Sequence, residues 1–191
     1  STLRVNAAGF YTEVDEYQFQ SQLPTGIGTF VSNDGKVEVS GLDLQMDAAP
    51  LPNLTLTAGL LYMNKYEITD GPRKGQDLPY TAEYSANLSA TLVFPLADGG
   101  VYIRADYAYM DDHATNGGNA ENFQPKDFDD RELLNAKIGW KNDNWNVSVW
   151  GKNLTDDHYA DQTLDTQAFN GMNAYFLAPP RTYGATLRYD F

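Results

Sequence analysis

From Tyr84 to Leu92, apolar and polar positions alternate without a break, and Phe94 continues the apolar parity. Tyr84, Ala86, Leu88, Ala90, Leu92 and Phe94 share one parity, and Ser85, Asn87, Ser89 and Thr91 share the other. The same pattern returns in Leu54, Leu56, Ala58, Leu60, Tyr62 and on to Tyr66; in Val101, Ile103, Ala105, Tyr107 and Tyr109 opposite Arg104 and Asp106; in Leu134, Ala136, Ile138 and Trp140; in Trp145, Val147 and Val149; and in Tyr183, Ala185, Leu187, Tyr189 and Phe191. A period of two places successive side chains on opposite faces, so each stretch predicts a half-polar β-strand of about ten residues. Less regular strands are expected near residues 2–20 and 29–48, for about eight in all. In the second of these, Val37 and Val39 lie on one parity and Leu42, Leu44 and Met46 on the other. That change of phase predicts a bulge near Gly41.

The connections fall into two kinds. Residues 49–53 (APLPN), 95–100 (PLADGG) and 142–144 (NDN) have the Pro, Gly, Asn and Asp of tight turns, whereas about 68–83, 111–132 and 157–176 are long and polar. Short turns at one end and long loops at the other are the loop pattern of an antiparallel outer-membrane barrel, with the short side periplasmic. A soluble sandwich would scatter its aromatics. Here they gather near strand ends, as Tyr84 and Phe94, Tyr107 and Tyr109, and Tyr189 and Phe191 do. Girdles of that kind mark the two membrane interfaces, and the opposite parity is free to carry charge because it faces a wet lumen.

Composition narrows the choice further. The chain has 191 residues, a net charge of −13 and a mean hydropathy of −0.49, with apolar runs only a few residues long. No spanning helix is expected. The acidic balance argues against a nucleic-acid partner, because phosphate binding needs clustered Lys and Arg. Cysteine is absent, which removes disulfides, thiol catalysis and cysteine metal sites. Ser1–Phe10 carry no start Met and no export-signal pattern, so the N-terminus reads as cut.

Certain segments also carry a family resemblance. WNVSVWGKNLTDDHYA at 145–160, followed by APPRTYGATLRYDF at 178–191, is similar to the C-terminal part of a TonB-dependent outer-membrane receptor. LPYTAEYSANLSATLVFPL at 78–96 and SGLDLQM at 40–46 resemble the same family. The resemblance implies an all-β fold, an antiparallel transmembrane β-barrel segment of about eight strands from a larger barrel of the 22-stranded type with a plugged lumen. It implies a receptor, not an enzyme, that actively imports a scarce solute across the outer membrane of a Gram-negative bacterium: a siderophore complex, a vitamin or a saccharide. The partners it implies are outer-membrane lipid, the small-molecule solute, the TonB complex reached through a plug region, and the barrel-assembly machinery. Tyr189 and Phe191 are the residues that would present the assembly signal on the last strand. No counterpart of the plug or the energy-coupling segment is recognised, so residues 1–191 are expected to be the C-terminal portion of such a receptor barrel. Edge strands near residues 2 and 191 would need further strands to close them. A passive porin-like barrel, or an outer-membrane hydrolase with Asp and His at the rim, are the alternatives.

Individual chemical motifs are weak. Asp111, Asp112, His113 and Asp156, Asp157, His158 repeat DDH at the outer ends of two strands, which suits metal capture or acid/base work and equally suits solvated loop charge. Asp112, Asn116 and Gly117 touch a calcium-loop pattern, but Ala114 occupies a ligand position and Phe123 replaces the closing Glu. No cofactor, catalytic residue or metal site is assigned. Sequons at Asn53, Asn87, Asn146 and Asn153 read as chance, since Asn87 and Asn146 are expected mid-strand on the inner face. Residues 111–132 hold seven acidic and two basic side chains and 156–173 hold four acidic and none basic, nine of the thirteen excess negative charges. An acidic rim would attract a cationic or metal-bearing ligand. Arg104, Lys137, Lys152 and Arg188 are expected to face the lumen.

Overall fold

A computed structural model of the chain describes residues 2–22, 28–114, 127–166 and 172–191. The long strands are β1 (Thr2–Gln22), β2 (Thr29–Leu51), β3 (Leu54–Asp70), β4 (Tyr84–Leu96) and β5 (Gly99–Met110). Two short strands follow, β6 (His113–Ala114) and β7 (Asp127–Phe128), then β8 (Arg131–Lys141), β9 (Trp145–Lys152), β10 (Ala160–Thr166), β11 (Met172–Leu177) and β12 (Thr182–Tyr189). Eight of them form one antiparallel sheet in the order β1-β2-β3-β4-β5-β8-β9-β12. The long loops hold more than the alternation pattern implies: β6–β7 and β10–β11 are separate two-stranded ribbons within them. The main sheet does not close on itself, since β1 pairs with β2 alone and β12 with β9 alone.

Register turns the alternation of each strand into continuous faces, because residues directly opposite in an antiparallel pair point the same way. One apolar row runs Leu54, Leu92, Ile103, Ile138, Val149, Ala185, and the next runs Leu56, Ala90, Ala105, Ala136, Gly151, Tyr183. On β1–β3 the same face carries Val5, Met46 and Ala58 in one row and Ala7, Leu44 and Leu60 in the next. Leu42, Leu88, Ile138, Val149 and Leu187 are all exposed on this face, at 46 to 68%. A contiguous apolar surface of this extent would aggregate in water and is what a lipid-facing barrel wall requires. The opposite face is polar. Of the charged residues on β4, β5, β8, β9 and β12, every one but Glu132 lies on it: Arg104, Asp106, Arg131, Lys137, Lys141, Lys152 and Arg188.

Aromatic side chains mark both ends of the apolar band. Tyr62 stacks on Tyr84 at 4.9 Å toward the long-loop end. Toward the short-turn end, Trp145 lies 4.6 Å from Tyr189, and Tyr189 meets Phe191 edge-on at 5.0 Å. Between these belts each strand contributes about ten residues, the length a tilted strand needs to cross the hydrocarbon. β1, β2 and β3, at 21, 23 and 17 residues, overshoot that span on the long-loop side.

The overshoot accounts for the change of phase at Gly41. Along β2 the lipid-side parity reads Ala48, Met46, Leu44, Leu42 and then Ser40, Glu38, Lys36; the lumen-side parity reads Asp47, Gln45, Asp43, Gly41 and then Val39, Val37. Both faces exchange character where the strand leaves lipid. Above that level the outer face is wet, while the inner face is covered by the segment between β3 and β4. Phe19, Val37 and Ile68 are buried there with Leu78 against them, and the Arg73 guanidinium sits 4.8 Å over the Phe19 ring. Backbone bonds hold the cover in place: Ile68 N–H to Gln76 O at 2.9 Å and Leu78 N–H to Tyr66 O at 2.6 Å. A bulge does occur beside Gly41, but not in β2. The register shifts between Ser40 and Gly41 because the partner strand β3 carries the extra residue, Asn64, while β1 against β2 runs unbroken from Thr2 to Val14. Gly41 itself is required by close approach, since a Cβ there would meet the Tyr62 carbonyl and come within 2.9 Å of the Phe10 ring.

Candidate functional site: lumenal wall and outer rim

The lumenal wall is built from the inward parity of β5, β8, β9 and β12. Arg104 lies opposite Lys137, Lys137 opposite Trp150, and Trp150 opposite Gly184. Arg104 is held by its neighbour: Nε donates to Asp106 at 2.9 Å and Nη2 at 2.6 Å, and Ser89 Oγ donates to the same carboxylate at 2.6 Å. Lys137 and Lys152 lie instead near aromatic faces, 5.7 Å from the Tyr102 centroid and 5.5 Å from that of Trp150. Trp150 Nε1 donates to Thr186 Oγ1 at 3.1 Å, so the indole lies across β12 at Gly184, where a Cβ would strike the ring. Arg188 pairs with Asp190 at 2.8 Å. Together Arg104, Asn135, Lys137, Trp150, Lys152 and Thr186 line a recess of about 570 Å³. A second recess of about 600 Å³, between Ile103, Ile138, Val149 and Tyr183, is apolar, belongs to the lipid side and offers no chemistry.

At the outer rim, the segment after β9 folds into a compact turn around Asn153. Asn153 has φ +50°, a left-handed conformation that Asn tolerates better than most residues, and is 6% exposed. Its N–H donates to Asn135 Oδ1 at 2.9 Å, and its Nδ2 donates to Asp157 O at 2.8 Å. Its Oδ1 accepts from Asp157 N–H at 2.9 Å and from Thr155 Oγ1 at 3.1 Å. Thr155 Oγ1 also reaches Glu132 O at 2.7 Å, and Leu154 N–H reaches Leu134 O at 2.7 Å, which stitches the turn to β8. Arg181, from the PPRTYG segment, pairs with Asp156 at 2.9 Å. The two halves of the C-terminal sequence motif are thus one structure. Asn153 carries the most bonds in it, and sequence reading marked it only as a sequon.

The two DDH segments do not form a shared site. His113 Nδ1 lies 3.2 Å from Asp111 O and its ring packs edge-on against Phe128 at 5.4 Å, within the β6–β7 ribbon. Asp156 is engaged by Arg181, and Asp157 Oδ2 accepts the Glu132 N–H at 2.8 Å. These aspartates shape turns. Among the described residues no three His, Asp or Glu side chains are grouped to hold a metal ion. Asn116, Gly117 and Phe123 of the calcium-like pattern lie outside the described residues. Asn87 and Asn146 face the lumen, with Asn146 Oδ1 accepting the Tyr102 hydroxyl at 3.0 Å, although Asn146 is the second residue of β9 and not mid-strand. Phe191 is fully exposed beyond the last strand.

An open sheet of eight antiparallel strands, apolar on one parity and charged on the other, defines a segment of a transmembrane β-barrel. Residues 1–154 match the model of the TonB dependent receptor-like, beta-barrel family, and the chain belongs to that family. Its fold is similar to the ferric yersiniabactin uptake receptor FyuA of Yersinia pestis, with TM-score 0.81 and 22% identity over 99% of this chain and 28% of that one. The ferric-catecholate import receptor Fiu of E. coli K12 is similar at TM-score 0.72 and 20% identity, over 98% of this chain and 25% of that one. The siderophore receptor PiuA of Acinetobacter baumannii is similar at TM-score 0.71 and 20% identity, over 98% and 26% respectively. This chain therefore spans about a quarter of the length of these receptors.

Proposed function

We propose that residues 1–191 are the C-terminal portion of an outer-membrane receptor of a Gram-negative bacterium that captures a scarce solute and imports it with energy delivered through TonB in the intact protein. The observation that carries this reading is the division of β4, β5, β8, β9 and β12 into an apolar face whose one charged residue is Glu132 and a lumenal face with all the other charges, in a chain of this receptor family. A ferric siderophore is the solute class we favour, because FyuA is described as a ferric yersiniabactin uptake receptor, Fiu as a ferric-catecholate import receptor and PiuA as a siderophore receptor; a vitamin or a saccharide is the alternative cargo. In this reading the acidic rim and the ribbons β6–β7 and β10–β11 meet the solute first, the recess around Trp150 borders its path, and Tyr189 with Phe191 presents the last strand to the barrel-assembly machinery.

The test is uptake of a panel of radiolabelled ferric siderophores by cells that do or do not express the intact receptor, in iron-poor medium. Uptake of one of them that disappears on collapse of the proton gradient is the expected result. Entry that persists without the gradient and follows only the concentration difference would make the protein a passive pore.

A further inference from the structure

Three cations meet on the lumenal wall with one carboxylate among them. Arg104 lies directly opposite Lys137, and Lys152, two residues beyond Trp150, is the diagonal neighbour of Lys137 across β8 and β9. Like charges set directly opposite each other weaken a sheet, so this grouping costs stability unless something answers it. Asp106 answers Arg104 with two hydrogen bonds. Lys137 and Lys152 form no ion pair with a carboxylate among the described residues. Their partners are the Tyr102 and Trp150 rings, and a ring face does not cancel an ammonium charge. The recess of about 570 Å³ that they line with Arg104 and Asp106 is therefore positive, in a chain whose net charge is −13. Charge on the outer loops is screened by salt beyond about 8 Å and leaves this surplus in place. Uncharged donors stand beside it. Asn135 spends its Oδ1 on the Asn153 N–H and keeps its amide N–H groups, while Ser148, next to Trp150 on the same parity, is 3% exposed with a hydroxyl that has no partner among the described residues.

We propose that this recess is a subsite for a planar acidic group of the imported solute: an arene bearing a carboxylate, with the carboxylate between the Lys137 and Lys152 ammonium groups and the ring along Trp150. Two ammonium groups without counter-charge call for an anion, and the indole, fixed over Gly184 by its bond to Thr186, offers a flat apolar surface beside them. Phosphate would use the cations and leave the rings without a role. The inference deepens the receptor reading above and rests on it.

The test uses the intact receptor purified in detergent, with 4-fluorobenzoate as the probe and neutral 4-fluorobenzamide as its matched control, each titrated by fluorine NMR line broadening. Binding to purified receptor needs no energy coupling, so its outcome is read apart from the uptake test, and heat-modifiable mobility checks that each variant is folded. Wild type is expected to bind the benzoate about tenfold more tightly than the amide. Lys137→Gln with Lys152→Gln should lower benzoate affinity about tenfold and leave the amide unchanged, whereas Lys137→Arg with Lys152→Arg keeps the preference. Trp150→Leu should weaken both probes to the same degree. Lys141→Gln, on the same face near the short turn, should alter neither. Equal affinity for the two probes in wild type, or a preference that survives the glutamine pair, overturns the proposal. Inorganic phosphate or cyclohexanecarboxylate competing as well as benzoate would overturn the planar assignment. A glutamine pair that binds benzoate normally but melts at a lower temperature would give the lysines a counter-charge elsewhere in the intact receptor and overturn the solute subsite.

Discussion

Asn153 shows how one residue joins three segments: β8, its own turn and the stretch at Pro179. Its amide reaches Asp157, Thr155 and, at 3.5 Å, the Pro179 carbonyl, while its N–H is tied to Asn135. Asn153→Ala removes the side-chain bonds and places a less tolerant residue at φ +50°. At roughly 1 kcal/mol for each net hydrogen bond, the expected loss is about 2 to 3 kcal/mol, read as faster proteolysis of residues 160–177 before any loss of the barrel. A second residue-scale test is Gly184→Val. The Trp150 ring occupies the space of a Cβ at that position, so the variant must expel the indole from β12 and break its bond to Thr186. A shift of Trp fluorescence to the red, absent in the matched Trp150→Phe background, is the measurement.

Within a strand, neighbouring residues live in different solvents. Leu88 sits between Ala58 and Tyr107 on the lipid face, and Ser89 sits between Thr57 and Asp106 on the lumenal face. Leu88→Arg is expected to destabilise the barrel by about 2 to 4 kcal/mol, because the charge would face hydrocarbon. Ser89→Arg loses one hydrogen bond to Asp106 but keeps its charge in a polar lumen beside that carboxylate. Folding yields in lipid vesicles separate the two; equal tolerance would contradict the assignment of faces. The last strand gives a further prediction. Phe191 touches Tyr189 and is otherwise open, so its deletion should slow outer-membrane assembly in a pulse-chase more than it lowers unfolding resistance of purified receptor. Normal assembly with a weakened barrel would leave Phe191 a packing residue only.

Taken as a whole, the sheet is an arc with two bare edges, β1 and β12. In hydrocarbon each unpaired edge leaves a row of backbone donors and acceptors without partners, at a cost of several kcal/mol per group. Residues 1–191 produced alone are therefore expected to remain heat-unmodifiable and aggregate in vesicles, whereas the intact receptor folds. A compact, heat-modifiable monomer of this chain would mean that β1 and β12 can pair with each other into a small barrel.

Alternation by itself determined six of the eight strands of the sheet, their parity and which parity is apolar, because side-chain direction in an extended chain depends only on position; β1 and β2 showed only as less regular strands. The same local reasoning located the short turns and the aromatic belts. It misassigned the bulge beside Gly41, since a phase change within one strand looks the same whether the chain slips or its surroundings change; only pairing with β3 shows that Asn64 is the extra residue and that the covering segment at Arg73 and Leu78 reverses the faces. The ribbons β6–β7 and β10–β11 and the Asn153 turn were equally invisible, because their hydrogen bonds join residues far apart in the sequence, as Asn153 and Pro179 are, and leave no periodic trace. Solvent preference is written along the chain one residue at a time; which polar groups satisfy one another is decided only when distant segments meet.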